Sequence, residues 1–199
     1  LIGDKSARAR TLKALWFSIG IESLGQRRFR DDCHDDQPVE PLYRRRWLIH
    51  ALTIWGFLGL LVATGLDYGL DVVGIKATGT AVALWYPTRL LGTVAGISML
   101  YGVTWFMVNR AKSHDNASRF SKHSDWLFLV LLWVTGFTGF LIEVALYAPP
   151  TPTWGYSVFV VHVAVAMVLL VLVPFSKFAH VMYRPIALFF YGLAKDKVA

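Results

Sequence analysis

Histidines set among apolar residues are the chemistry-bearing feature of this chain. His162 and His180 stand eighteen residues apart on one apolar stretch. On an unbroken α-helix that spacing is five turns, so both rings would project from one face, about 27 Å apart at 1.5 Å per residue. A third histidine, His50, opens another apolar segment just after Arg44, Arg45 and Arg46. His50 follows that cluster by four residues and His180 precedes Arg184 by four. Both rings are therefore expected at one level, roughly 6 Å inside a membrane boundary. Two neutral imidazoles facing each other across a helical bundle supply the axial ligands of a low-spin haem iron. The spacing predicts one haem b held by His50 and His180, with Arg44, Arg45, Arg46, Lys177 and Arg184 as candidate partners of its propionates. The competing reading is that boundary histidines simply anchor helix ends at the headgroups. His114 and His123 fall in a loop at a shallower level and are weaker candidates for the same iron.

His162 poses a different question. It is expected roughly 12 Å below the opposite boundary, where no histidine of the earlier spans reaches. Glu143 and Arg89 are expected near that depth, and ionisable groups inside a membrane are functional candidates by default. The trio His162, Glu143 and Arg89 is thus a candidate site for binding a quinone and exchanging its protons. The alternative is a His162–Glu143 pair that satisfies only itself. A second haem at His162, with some other ligand opposite, stays open. The run Asp31, Asp32, Cys33, His34, Asp35, Asp36 lacks ligand spacing and reads as a solvated acidic loop.

The elements that must position these groups follow from composition. The 199 residues are 55% hydrophobic and 15% aromatic, which fits a polytopic membrane protein better than a soluble domain. Four stretches, at 47–66, 84–109, 125–147 and 154–181, reach the ~20 residues a spanning helix needs. The expected fold is an all-α integral membrane bundle of four transmembrane helices. It divides into a cytoplasmic segment 1–46, a haem-binding membrane domain 47–185 and a tail 186–199. The net charge of +7 does not indicate nucleic acid, because the basic residues cluster in 1–46, 110–122 and 177–197, with only Lys76 and Arg89 elsewhere. With four passes those regions share one face, and the positive-inside rule makes it cytoplasmic in a prokaryotic inner membrane, with both termini on that side. Within 11–24, Leu12, Leu15, Trp16 and Ile19 share a helical face too short and too polar to span. It reads as an amphipathic helix lying at the membrane interface or docked on a partner subunit. Pro174 is expected to kink the fourth helix. Gly92, Gly96, Gly102, Gly136 and Gly139 allow close helix packing and would also leave room for a flat macrocycle. Cys33 is the one cysteine, which excludes an iron–sulfur cluster held by this chain alone and any internal disulfide.

The segment from His162 to His180, with Pro174-Phe175-Ser176-Lys177 before the second histidine and Arg184-Pro185 after it, resembles the last helix of the respiratory nitrate reductase gamma subunit family. Pro87-Thr88-Arg89-Leu90-Leu91-Gly92-Thr93 and Asp125-Trp126-Leu127-Phe128-Leu129 look like the related membrane subunits of quinone-interacting membrane-bound oxidoreductases and heterodisulfide reductases. The likeness covers about residues 43–190. It implies that both histidines of the last helix ligate haem b. It also implies that His50 keeps the cytoplasmic haem with His180, while Leu60 stands where the family has the partner of His162. Some members fuse an iron–sulfur domain to this membrane domain, and a missing extension of that kind would account for the start at Leu1.

Together these readings give a haem b membrane subunit of a respiratory, quinone-linked oxidoreductase complex, not catalytic alone. It would carry electrons between quinone or quinol in the lipid and a cytoplasmic iron–sulfur or flavin subunit. The rival is a non-redox membrane anchor or assembly subunit. A transporter fits less well, because apart from Glu143 the spans carry no acidic pair and no broken-helix repeat.

Overall fold

The computed structural model describes residues 2–27, 30–31, 41–76, 81–112, 123–148, 150–176 and 179–198. Asp32, Cys33, His34, Asp35, Asp36, His114 and Lys177, singled out above, lie outside the described residues. Every regular element among the described residues is helical. Helix α1 (Ile2–Leu15) runs on as a π-helical stretch, Trp16–Leu24. A 3₁₀ turn at Leu42–Arg44 precedes α2 (Arg46–Val72). Then come α3 (Pro87–Ala111), α4 (His123–Leu146), α5 (Thr153–Leu172) and, after a 3₁₀ turn at Val173–Phe175, α6 (His180–Val198). Among the described residues four helical runs are long and apolar enough to cross a membrane, beginning at Arg46, Pro87, Asp125 and Thr153.

Helix ends follow local chemistry. Pro87 opens α3, where its fixed φ suits a first turn and its missing N–H leaves nothing unpaired. Tyr86 before it is extended, as a residue preceding proline prefers. Arg110 in the last turn of α3 and Asp125 in the first turn of α4 each complement a helix dipole. They also meet each other at 3.6 Å, with Asp125 almost fully buried.

Pro174 does more than kink a helix. The α-helix stops at Leu172, and a new one begins only at His180. Proline removes a donor and its ring crowds the carbonyl four residues back, so the ladder breaks. The five-turn alignment of His162 with His180 required a continuous helix, and that premise is corrected: the two histidines belong to different helices.

The chain forms two compact units. One combines residues 1–47 with 173–199, and the other is Leu48–Leu172. In the first, α1 and its π-helical continuation pack against α6. Ala14, Ser18, Glu22 and Gln26 turn inward, whereas Leu12, Leu15, Trp16 and Ile19 face outward, Trp16 with 69% of its surface exposed. The amphipathic face read from the sequence exists, and it is the outer face of this unit.

In the second unit, Met99, Val103, Leu129, Leu132 and Leu169 form the core, from α3, α4 and α5. Helices α2 and α3 touch through glycine. A Cβ at Gly56 would stand 2.6 Å from both the Ala95 carbonyl and the Met99 nitrogen, and one at Gly102 would strike Thr53 and the Ile49 carbonyl. Trp55, Val94 and Val161 are exposed. Small residues at contacts and large apolar ones outside are the pattern of helices that pack in lipid. Gly56→Leu should lower stability by about 2–3 kcal/mol, because a backbone contact cannot yield as a side chain would. Gly65, with nothing near its Cβ position, should accept Leu without loss. Thermal unfolding midpoints in detergent would check both.

Candidate functional site

The second unit encloses a cavity of about 800 Å³ bordered by α2, α3, α4 and α5. Its walls are mainly apolar, including Phe57, Leu60, Met99, Leu132, Phe140 and Phe159. The glycines flagged in the sequence divide between two tasks. Gly102 serves packing alone, and Gly92 and Gly139 line the cavity with room at their Cβ positions, while Gly96 and Gly136 line it and also admit Phe140 and Met99, at 3.0 and 2.7 Å from a Cβ there.

Polar groups gather at one end, where α2 and α4 finish and α3 begins. Lys76 reaches back nine residues and donates to both oxygens of Asp67, at 2.7 and 2.6 Å. Thr88 donates more weakly to the same carboxylate, at 3.5 Å. Arg89 Nη2 lies 2.8 Å from Glu143 Oε1, and the guanidinium sits over the Tyr147 ring at 5.2 Å. The approach to Glu143 is off the N–H axis, so Arg89 Nε and Nη2 donate no hydrogen bond to a described residue. Tyr147 donates its own O–H to the Val82 carbonyl, which ties the segment before α3 to the end of α4. Asp71 Oδ1 is buried here without a hydrogen-bond partner among the described residues. The lining therefore carries Asp67, Asp71 and Glu143 against Lys76 and Arg89.

His162 lies deeper, halfway along α5. Its Nδ1 is 2.9 Å from Thr138 Oγ1 on α4, and Gly139 leaves room for the ring, its Cβ position 3.5 Å from Cε1. The trio His162, Glu143 and Arg89 does line one cavity. The pairing inside it differs from the simple alternative: Glu143 takes Arg89, and His162 takes Thr138. Thr138, Thr88 and Tyr147 went unnoticed in the sequence, since threonines and tyrosines carry no distinguishing pattern in apolar helices. The Asp67–Lys76 pair had a signal, because Lys76 was one of two cations outside the basic clusters.

The proposed haem ligands fall in different units. His50, on α2, is half-buried and meets Phe106 edge-on at 6.3 Å. His180 is the first residue of α6, with its side chain exposed. Arg44 is exposed beside the Tyr43 ring, and Arg45, Arg46 and Arg184 are half-buried. Equal distance from charged residues gives each histidine an expected depth and does not say which residue it faces. Among the described residues no group of three or more His, Cys, Asp or Glu is placed to hold a metal ion.

Helices throughout the described residues, four membrane-length runs and an apolar cavity with ion pairs at one end define a class that many membrane proteins share. Comparison with known proteins narrows it. The family model of citrate utilization protein B matches residues 3–198, and the chain belongs to that family. The citrate utilization protein B of Escherichia coli is 30% identical over 172 residues, covering 83% of this chain and 42% of the relative's length. The chain thus spans less than half the length of that curated relative. No solved structure matches it.

These matches correct the resemblance to nitrate reductase gamma-type subunits. The haem b assignment, the haem roles of His50 and His180, the propionate roles of Arg44, Arg45, Arg46, Lys177 and Arg184, and the respiratory haem-subunit function are withdrawn with it. A proline and two boundary histidines are features that unrelated helical membrane proteins share, so the motif was less specific than its length suggested.

Arg89→Met should cost about 3 kcal/mol, because it strands Glu143 in an apolar wall, whereas Arg89→Met with Glu143→Leu should recover most of the loss. Unfolding midpoints of the three variants test the coupling.

Proposed function

We propose that this chain is a membrane-embedded component of citrate utilization whose cavity binds a lipophilic molecule with a polar, oxygen-bearing ring, of the quinone and quinol class. The observation that carries this is the cavity itself: apolar walls for a hydrocarbon body, with hydrogen-bonding groups at one end and at mid-depth. Arg89 Nε, which donates to no described residue, offers a donor to a ring oxygen at the polar end. Citrate suits the cavity poorly. Its three carboxylates would meet Asp67, Asp71 and Glu143, while both lining cations already face carboxylates. The family name supports the pathway, and the lining chemistry supports the ligand class.

The membrane setting is supported by the four apolar runs and by the outward-facing large apolar side chains. The clustering of basic residues in 1–46, 110–122 and 177–197 supports cytoplasmic termini, with the polar end of the cavity toward the opposite surface. The outward apolar face of Leu12, Leu15, Trp16 and Ile19, close to Arg8, Arg10 and Lys13, supports an N-terminal helix resting at the interface.

A short-chain alkyl benzoquinone should bind the full chain in nanodiscs saturably, at one site. Gly139→Leu should abolish that binding by filling the cavity beside His162, and citrate should not compete. Absence of saturable binding, or displacement by citrate, would overturn the reading. For topology, a cysteine replacing Lys112 in a Cys33→Ser background should react with an impermeant maleimide in inverted vesicles and not in intact cells.

A further inference from the structure

The hydrogen bonds around His162 favour its proton on Nδ1. Thr138 has one hydroxyl hydrogen, and its nearest acceptor is the Val134 carbonyl at 2.7 Å, one helical turn back on α4. The hydroxyl oxygen is then left as an acceptor, and His162 Nδ1 approaches it at 2.9 Å. The Thr135 carbonyl, 3.2 Å from the same hydroxyl, is a second and more distant acceptor for its hydrogen. With the hydroxyl hydrogen on the Val134 carbonyl, the ring nitrogen that meets the hydroxyl oxygen is the donor, an N–H. A neutral imidazole with its proton on Nδ1 keeps a lone pair on Nε2. No described residue is hydrogen-bonded to Nε2, and His162 lines the cavity.

We propose that His162 Nε2 is a built-in hydrogen-bond acceptor that reads a hydroxyl on the bound ring, so that the cavity prefers a phenolic or hydroquinone-type head to one bearing only carbonyl or ether oxygens. The proposal rests on the ligand reading above and adds its selectivity. The polar end and the interior differ in kind: Arg89 offers a donor, whereas His162 offers an acceptor. A ligand with carbonyl oxygens alone satisfies the first and leaves the second opposite a lone pair. Thr138 is a positioning residue here, since it acts on the ligand only through the tautomer it imposes.

The test uses two ligands matched in size, 4-heptylphenol and 4-heptylanisole, titrated calorimetrically into the full chain in nanodiscs. The phenol should bind about tenfold more tightly, the range of one buried hydrogen bond. His162→Phe should erase that preference, and an unchanged thermal unfolding midpoint would report that the variant still folds. Thr138→Val should reduce the preference, and Thr138→Ser, which keeps the hydroxyl, should retain it. Equal affinities in the wild type, a preference for the anisole, or a phenol preference that survives His162→Phe would each overturn the proposal while leaving the ligand reading intact. Binding of neither compound would instead remove the ligand reading, and this proposal with it.

Discussion

Gly56 stands where any side chain would collide with the backbone of α3 at Ala95 and Met99. That contact governs much of the second unit. For helices of membrane length and composition, lipid tails as apolar as leucine would leave little hydrophobic driving force, and close approach of backbones would supply the attraction. Glycine gives α2 and α3 that approach at Gly56 and Gly102. Further along α3 and α4, Gly92, Gly96, Gly136 and Gly139 border the cavity instead. At Gly92 and Gly139 the missing side chain keeps space open, whereas Gly96 and Gly136 also let Phe140 and Met99 pack close.

Within that frame the ionisable groups are arranged to limit the cost of burial. A lone carboxylate among apolar side chains is costly, and pairing it with a cation offsets part of the penalty. Asp67 with Lys76, Glu143 with Arg89 and Asp125 with Arg110 all follow this rule. The first two lie at the mouth of the cavity, where they join the loop after α2, the start of α3 and the end of α4. His162 is satisfied differently, by a threonine hydroxyl that is itself committed to the backbone. Such a bond orients a ring without adding charge, which suits a position at mid-depth.

Much of the architecture was legible in residue order. Length and composition located four apolar runs, and the structure moves their ends by a few residues, the fourth most of all. That helix closes at Leu172 instead of continuing past His180, because Pro174 acts as a terminator where a kink was expected. The error mattered, since the alignment of His162 and His180 on one face was the geometric basis for reading a redox cofactor. The family match removes the remaining support for it.

Apolar periodicity, helix-terminating proline and the clustering of cations are local properties, so the chain by itself determined its helical class, its membrane-length runs and the outward apolar face of Leu12, Leu15, Trp16 and Ile19. Pairing across helices is not local. Depth along a helix can be counted from the nearest charge, but rotation about its axis and the identity of its neighbour depend on how every side chain packs. Only the tertiary structure decided that Glu143 answers Arg89, that Thr138 holds His162, and that four helices enclose a cavity around them.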